Sequence, residues 1–363
     1  MSSSSSAVVI GAGVAGASVA FALARRGVAV TVVDDGAAGQ ATAAGAGIVA
    51  PWLSSSTGRF YDLYAAGGAF YPRLLDLLGE AGVTPPDYRR TGSLAVHHDP
   101  GVLAAAEANV RERVAAAGAV AGRVERLHTG QLRDLFPPLA EDLSGFFLTG
   151  GGRVDGRTLR DALLAAATRA GARRMSGAVH LATVGEAVTA EVNTTPLEAD
   201  AVVVTAGAWT ADLLARAGVR VPVVPQRGQI THLRLEGADT SAWPTVTPLA
   251  HHYLVAFDAG RVVAGATRET GSGFDPRITA AGQLQVLQDA LSIAPGLADA
   301  TLIETRVGLR PLPDELPVVG QVGERLWVAT GYGAGGLTMA PLLGDALARA
   351  VVGEDAQEIS GLV

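Results

Sequence analysis

The sequence predicts an α/β protein, α+β overall, in which a mostly parallel sheet domain is interleaved along the chain with a second domain built on an antiparallel sheet. Three observations predict it. The opening segment AVVIGAGVAGASVAFALARRGVAVTVVDD reads as strand, glycine turn, Ala-rich helix and strand, which is one βαβ unit. Two distant apolar runs, 201–205 before AGAW and 326–330 before GYGAGG, read as buried strands of the same sheet. Segments of alternating polarity at 228–235 and 252–267 read instead as antiparallel strands.

Taken in order, Met1 and the serines at 2–6 form a polar tail expected to be unstructured. A strand at 8–10 leads into Gly11, Gly13 and Gly16, a G-x-G-x-x-G at the mouth of a helix that runs to Gly27. There a pyrophosphate can meet free backbone N–H groups and the positive end of the helix dipole, the Rossmann-like arrangement. Asp34 closes the second strand, 28–33, where it can accept hydrogen bonds from a ribose, which disfavours a 2′-phosphate. The unit alone does not separate FAD from NAD. Small residues at 39–50 let backbone approach a flat ring system, and helical stretches follow at 70–78 and 101–117. The expected division is a cofactor domain of 1–83, 148–222 and 300–363, with 84–147 and 223–299 forming the substrate domain.

Composition removes whole mechanisms. The 28 basic residues are all arginine, and cysteine is absent. No disulfide, thiolate nucleophile, cysteine-ligated zinc or cysteinyl flavin link can therefore form, and no lysine is present for Schiff-base or phosphate-loop chemistry. A net charge of −7 with dispersed arginines offers no basic stripe, so nucleic acid is not an expected partner. The apolar stretch 7–24 reads as strand, turn and helix rather than a membrane span, no signal-peptide flank precedes it, and a cytoplasmic location is expected. The histidine pairs 97–98 and 251–252 would point to opposite faces of a strand, and no metal site is expected.

Seven segments, in order from residue 8 to residue 341, resemble the D-amino-acid oxidase superfamily, in its glycine oxidase and bacterial D-amino-acid dehydrogenase branch. They are VVIGAGVAGASVAFALARRGVAVTVVD, GGRVDGRTLRDAL, VVVTAGAWT, PQRGQIT, RVVAGATRETGSGFD, VGLRPLPDELPVVG and VATGYGAGGLTMAP. The resemblance implies non-covalently held FAD. It puts Val179 against the adenine, Ala206 and Gly207 beside the pyrophosphate, and Thr42, Gly47 and Ile48 in a loop packed on the isoalloxazine. Gly333, Gly335, Gly336, Leu337 and Thr338 become the turn and helix start at the flavin's pyrimidine edge. That helix N-terminus would also stabilise negative charge on a reduced flavin.

For the substrate the resemblance points to Arg310, whose planar fork suits a carboxylate, and to Tyr253, whose hydroxyl assists it. The chain departs from the family in having Arg306 where a tryptophan is frequent and Ala334 in place of the glycine-oxidase arginine. It also lacks the lysine that sarcosine-oxidase relatives place over the flavin. The expected reaction is oxidation of the C–N bond of a small amino acid or amine (a D-amino acid, glycine, or an N-methyl or cyclic amino acid) by hydride transfer to flavin N5. Oxygen or an electron carrier would be the acceptor, and a homo-oligomer is compatible with the sequence. Two alternatives stay open here: an NAD-dependent dehydrogenase sharing only the first βαβ unit, and a non-catalytic flavoprotein subunit of a larger complex.

Overall fold

The computed structural model describes residues 5–184 and 187–363. Residues 1–4 of the expected tail lie outside that range. Ser5 and Ser6 do not behave as a tail: their backbone N–H groups and hydroxyls all donate to one Asp200 carboxylate oxygen at 2.6–3.1 Å, and Ser6 opens the first strand.

Among the described residues the strands form four sheets. The first has six strands in the spatial order Val318–Gln321, Leu326–Thr330, Ala201–Val204, Ser6–Ile10, Ala29–Asp34 and Arg173–Ser176, parallel except for Val318–Gln321 at one edge. The runs AVVI, AVTVV and AVVV supply β-branched residues that bury both faces of its centre, as a covered parallel sheet requires. The helix Val14–Ala24 is buried almost along its whole length, held between the helices Gly156–Arg169 and Gly336–Val351. The approach is close enough that a Cβ on Gly344 would lie 2.7 Å from that of Ser18.

The second sheet has nine strands, antiparallel except where Thr245–Thr247 runs beside Ser93–His97. Its long member Val223–Arg234 pairs on one side with Arg261–Gly265 and on the other with Thr301–Pro313. The latter segment falls within the expected cofactor domain, 300–363. Its alternation instead matches its partner in an almost unbroken register, Gln226 opposite Arg310 and Gly228 opposite Gly308. The helix Ala280–Ile293 covers one face, burying Val286, Ala290 and Ile293 against Leu233, Leu254 and Val262.

The helix expected at 70–78 runs from Gly58 to Glu80. The Ala-Ala-Gly-Gly run at 65–68 is a packing device. A Cβ on Gly67 would lie 2.6 Å from the Thr338 carbonyl oxygen, and one on Gly68 2.6 Å from Pro51 Cγ. Between the two large sheets Arg153 is fully buried, bonded to Asp87 at 2.8 Å and Asp258 at 2.9 Å and stacked over Phe257, tying a small three-stranded sheet to the large one. No helix among the described residues is long and apolar enough to cross a membrane.

Candidate active site

The carboxyl ends of the parallel strands open onto the large antiparallel sheet, and a cavity of about 1090 Å³ fills the space between them. It exceeds the ~300–1,000 Å³ of ordinary small-molecule sites. Ile10, Asp34, Thr205 and Thr330, at the strand ends, line one wall, where open α/β sheets bind ligands. Tyr253, Gly308 and Arg310 come from the large sheet.

At the dinucleotide end Gly11 has φ +102°, and a Cβ there would lie 2.5 Å from the Thr205 carbonyl oxygen, so glycine is required twice over. Gly13 is different. Its φ is −68°, open to any residue, and a Cβ would meet only Thr42 Oγ1, at 3.3 Å. Gly13 keeps space clear in front of a helix that has no side-chain cap and no acidic residue in its first turn. Gly16 does not line the cavity; a Cβ there would run into the Gly11 carbonyl and lie 2.6 Å from Thr205 Oγ1, so it serves the close packing of turn on strand. The Asp34 carboxylate accepts from Ala12 N at 2.6 Å, Gly36 N at 2.7 Å and Gln40 Nε2 at 3.0 Å. It therefore holds the loop and keeps about one of its roughly four acceptor positions for a ligand.

Val179, Ala206 and Gly207 line the same end, while Thr42, Gly47 and Ile48 line the middle. Thr42 Oγ1 accepts from Val14 N at 3.0 Å, fastening the 39–50 loop to the helix start. Gly333, Gly335, Gly336 and Leu337 line the cavity at the uncapped N-terminus of the helix Gly336–Val351. Thr338 does not. It is fully buried behind them, hydrogen-bonds Tyr64 and donates to the Ile48 carbonyl at 3.3 Å. Buried hydroxyls of Tyr332 and Ser54 border the cavity without a protein partner.

At the other end Arg310 donates to the Thr267 carbonyl at 3.1 Å and to Gln226 Oε1 at 3.3 Å, and it hydrogen-bonds the Tyr253 hydroxyl. All three are neutral. Burial pulls the guanidinium below arginine's usual range, and the Arg268 charge acts in the same direction while Tyr253 and Glu269 oppose it. Burial likewise raises Tyr253, which remains a phenol. His251 and His252 precede the strand Tyr253–Ala256 rather than belonging to it, and both line the cavity, so strand alternation does not apply to them. Burial, helped by His251, lowers His252. No cluster of three metal-ligating side chains occurs among the described residues.

The sequence reading did not single out Gly228, Gln226, Thr267 or Arg268. Gly228 and Arg268 were quoted only inside the segments PQRGQIT and RVVAGATRETGSGFD. A Cβ on Gly228 would lie 2.5 Å from Arg310 Cζ, so this glycine is what lets the guanidinium lie across the strand.

A family model described as DAO, FAD dependent oxidoreductase, matches residues 6–350. The chain belongs to this family. The match reaches far beyond the first βαβ unit, which removes the NAD-dehydrogenase alternative, and the cofactor of this oxidoreductase is FAD. The uncharacterised oxidoreductase YurR of Bacillus subtilis is 42% identical, over 96% of this chain and 95% of its own. A glycine oxidase of Geobacillus kaustophilus is 30% identical, over 93% and 90%. Among solved structures, iminodiacetate oxidase (IdaA) from Chelativorans sp. BNC1 superposes with a TM-score of 0.94 at 46% identity, covering 97% of this chain and 96% of that one. The Geobacillus glycine oxidase structure does so at 0.84 and 27%, covering 98% and 96%. FAD suits what the cavity presents: a helix N-terminus behind a glycine kept clear of side chain, where only Val14 N is taken by a side chain (Thr42), a second helix N-terminus without a side-chain cap, and buried hydroxyls without a protein partner.

Proposed function

We propose that this oxidoreductase removes two electrons from the C–N bond of a small amine that carries a carboxylate on the neighbouring carbon, an amino acid or N-substituted amino acid. The observation that carries the reading is Arg310: a mostly buried cation at the cavity wall whose hydrogen-bond partners are all neutral. A buried charge without a counter-charge is costly, and a donor carboxylate supplies the missing anion in bidentate geometry. Glycine and iminodiacetate, the substrates in the names of the two relatives with solved structures, both have this group beside the amine nitrogen.

Gly11, Gly13, Asp34, Val179, Ala206 and Gly207 would hold the dinucleotide part of FAD, and Thr42, Gly47, Ile48, Gly333, Gly335, Gly336 and Leu337 its ring. Gly16 and Thr338 would support these from behind. FAD bound there supplies a two-electron acceptor for hydride. Arg310 and Tyr253 clamp the carboxylate and so fix which face of the α-carbon is presented, converting binding into orientation. The Tyr253 hydroxyl stays protonated and serves as a hydrogen-bonding group rather than a base. Arg310 and Arg268 disfavour an ammonium nearby, which favours the neutral amine whose lone pair assists C–H cleavage. Loss of hydride and of the amine proton leaves an imine, which water hydrolyses to the carbonyl compound and the freed amine.

The test is Arg310→Met, assayed by anaerobic flavin bleaching on carboxylated donors and their decarboxylated amines. Loss of a charge-assisted clamp at roughly 2–5 kcal/mol predicts a fall in reduction efficiency of about thirtyfold to several thousandfold for carboxylated donors alone. Equal slowing of both donor types would make Arg310 structural and end the amino-acid reading. Oxygen consumption in the same preparations assigns the electron acceptor.

A further inference from the structure

In the parallel sheet the strand Ser6–Ile10 lies between Ala201–Val204 and Ala29–Asp34, so the loops that follow those two neighbours, 205–209 and 35–40, stand on either side of the glycine turn at 11–13. Both line the dinucleotide end of the cavity, through Ala206, Gly207 and Trp209 on one side and Asp35, Ala37 and Gln40 on the other. The connection 271–278, lying between the strand Glu269–Thr270 and the helix Ala280–Ile293, reaches both loops. Phe274 stacks on Trp209, with ring centroids 5.7 Å apart and planes 22° from parallel. Pro276 packs on Gly39 so closely that a Cβ on this glycine would come within 3.1 Å of Pro276 Cβ. Phe274 and Pro276 are two residues apart, about 7 Å of chain at most, so one short stretch holds both loops. Residues 271–278 do not themselves line the cavity and act on it through the loops they touch.

The connection is tied at few points. Arg227 donates to the Asp275 carboxylate at 2.8 Å and to the Asp275 carbonyl at 3.3 Å, and its backbone N–H donates to Ser272 Oγ at 3.3 Å. Gly271 and Gly273 take φ +82° and +58° with open space where a Cβ would stand, so no side chain confines these turns. Phe274 is 37% exposed and Ile278 55%, so little buried apolar surface opposes lifting, and lifting leaves the strands paired. We infer that 271–278 is a strap over the flavin site and that Phe274 positions Trp209: FAD enters and leaves when the strap lifts, and the ring stack sets how often it does. The strap concerns the cofactor and not the donor, so it stands whether or not Arg310 binds a carboxylate.

The rates of FAD exchange test this without turnover, in wild type, Phe274→Ala, Phe274→Tyr and Asp275→Asn. Release is followed as free FAD appearing after dilution of the holoenzyme, and loading as the change in the flavin spectrum on mixing FAD with apoprotein. A gate crossed in both directions must alter both rates. Phe274→Ala should accelerate release and loading alike, by about two- to tenfold, the range set by one lost aromatic pair, and so leave the FAD Kd nearly unchanged. Asp275→Asn weakens the tie to Arg227 without touching the ring and should act in the same sense. Phe274→Tyr keeps the stack and should exchange FAD at the wild-type rates. Flavin reduction at saturating donor should be equal in all four proteins, since the strap does not line the cavity. Faster release with unchanged loading would make Phe274 an ordinary contact of the bound state rather than part of a gate. Neither rate changed, in apoproteins that melt as wild type, would make the connection a bystander. Either result overturns the inference.

Discussion

Substituting Gly228 tests whether the position of the Arg310 guanidinium matters, separately from its charge. Gly228 sits in an extended strand without positive φ, so alanine is acceptable to the backbone. Its Cβ, however, would lie 2.5 Å from Arg310 Cζ, about 1 Å or more inside the ~3.5–4.0 Å of a normal carbon contact. What it meets is the end of a flexible side chain, so the guanidinium gives way and the strand does not. Displacement by about 1 Å lengthens the bonds to Thr267 at 3.1 Å and Gln226 at 3.3 Å beyond useful range. A misplacement of that size in a positioning group costs on the order of a hundredfold in rate. Gly228→Ala should therefore fold, bind FAD and melt within a few degrees of wild type, while reduction by carboxylated donors falls about ten- to a hundredfold and decarboxylated amines are spared. Stopped-flow bleaching with a thermal melt measures both. Undiminished efficiency with carboxylated donors would refute the claim that the guanidinium works from where it lies.

Two further outcomes follow from the same geometry. Gly13→Val should yield folded but colourless protein, because the backbone accepts a side chain, Thr42 Oγ1 at 3.3 Å from the Cβ need give by only a few tenths of an ångström, and the pyrophosphate's space is lost; retention of flavin absorbance would contradict this. His232 is buried in the strand Val223–Arg234 with neither ring nitrogen bonded, and burial, reinforced by Arg306 and Arg261, holds it down at about 4. Since the unfolded ring titrates near ~6.5, it contributes no penalty above that pH, and stability falls from about pH 6.5 to about pH 4 and then levels. At pH 5 that is about 2 kcal/mol, which His232→Leu should remove, as seen by comparing denaturant midpoints of both proteins at pH 7 and 5; an identical acid slope would refute it.

The parts of the fold legible in the sequence are those whose cause is local. Apolar β-branched runs around spaced glycines announce the parallel sheet, whereas Arg310 was reached only through the family resemblance and lies within the strand Thr301–Pro313. The helix Gly58–Glu80 is longer than the expected 70–78 stretch, and its Gly67 is set by the backbone of Thr338 and Met339, more than 250 residues away. Gly13 was legible as part of a motif, but the strain attaches to Gly11 and the clearance to Gly13, a division that only the Thr205 and Thr42 contacts reveal. Arg268 is illegible on sequence for the same reason. Whether an arginine is free depends on who has taken the acids, and here Glu269 and Asp275 are taken by Arg227 and Arg277.

An unpaired cation beside the donor also has a consequence for pH that volume or shape alone could not produce. The amine must lose its proton before the C–H bond breaks, so the acid limb of flavin reduction at saturating donor reports the donor's ammonium within the complex. A fixed guanidinium lowers that value, since the protonated amine is a like charge. Two unit charges at an effective dielectric of about 20 repel by about 4 kcal/mol at ~4 Å, and the exposure and screening of Arg268 reduce this to a shift on the order of one pKa unit. Arg268→Met should therefore shift the acid limb upward by about one unit for any one donor, with a rate deficit that grows as pH falls and closes once the amine is neutral in both proteins. Arg268→Lys, which keeps the charge but not the fork, should leave the limb near its wild-type position. An acid limb that stays fixed when methionine replaces Arg268 would mean that the guanidinium sits too far from the amine to be felt, and its role in keeping the donor amine neutral would fall with that result.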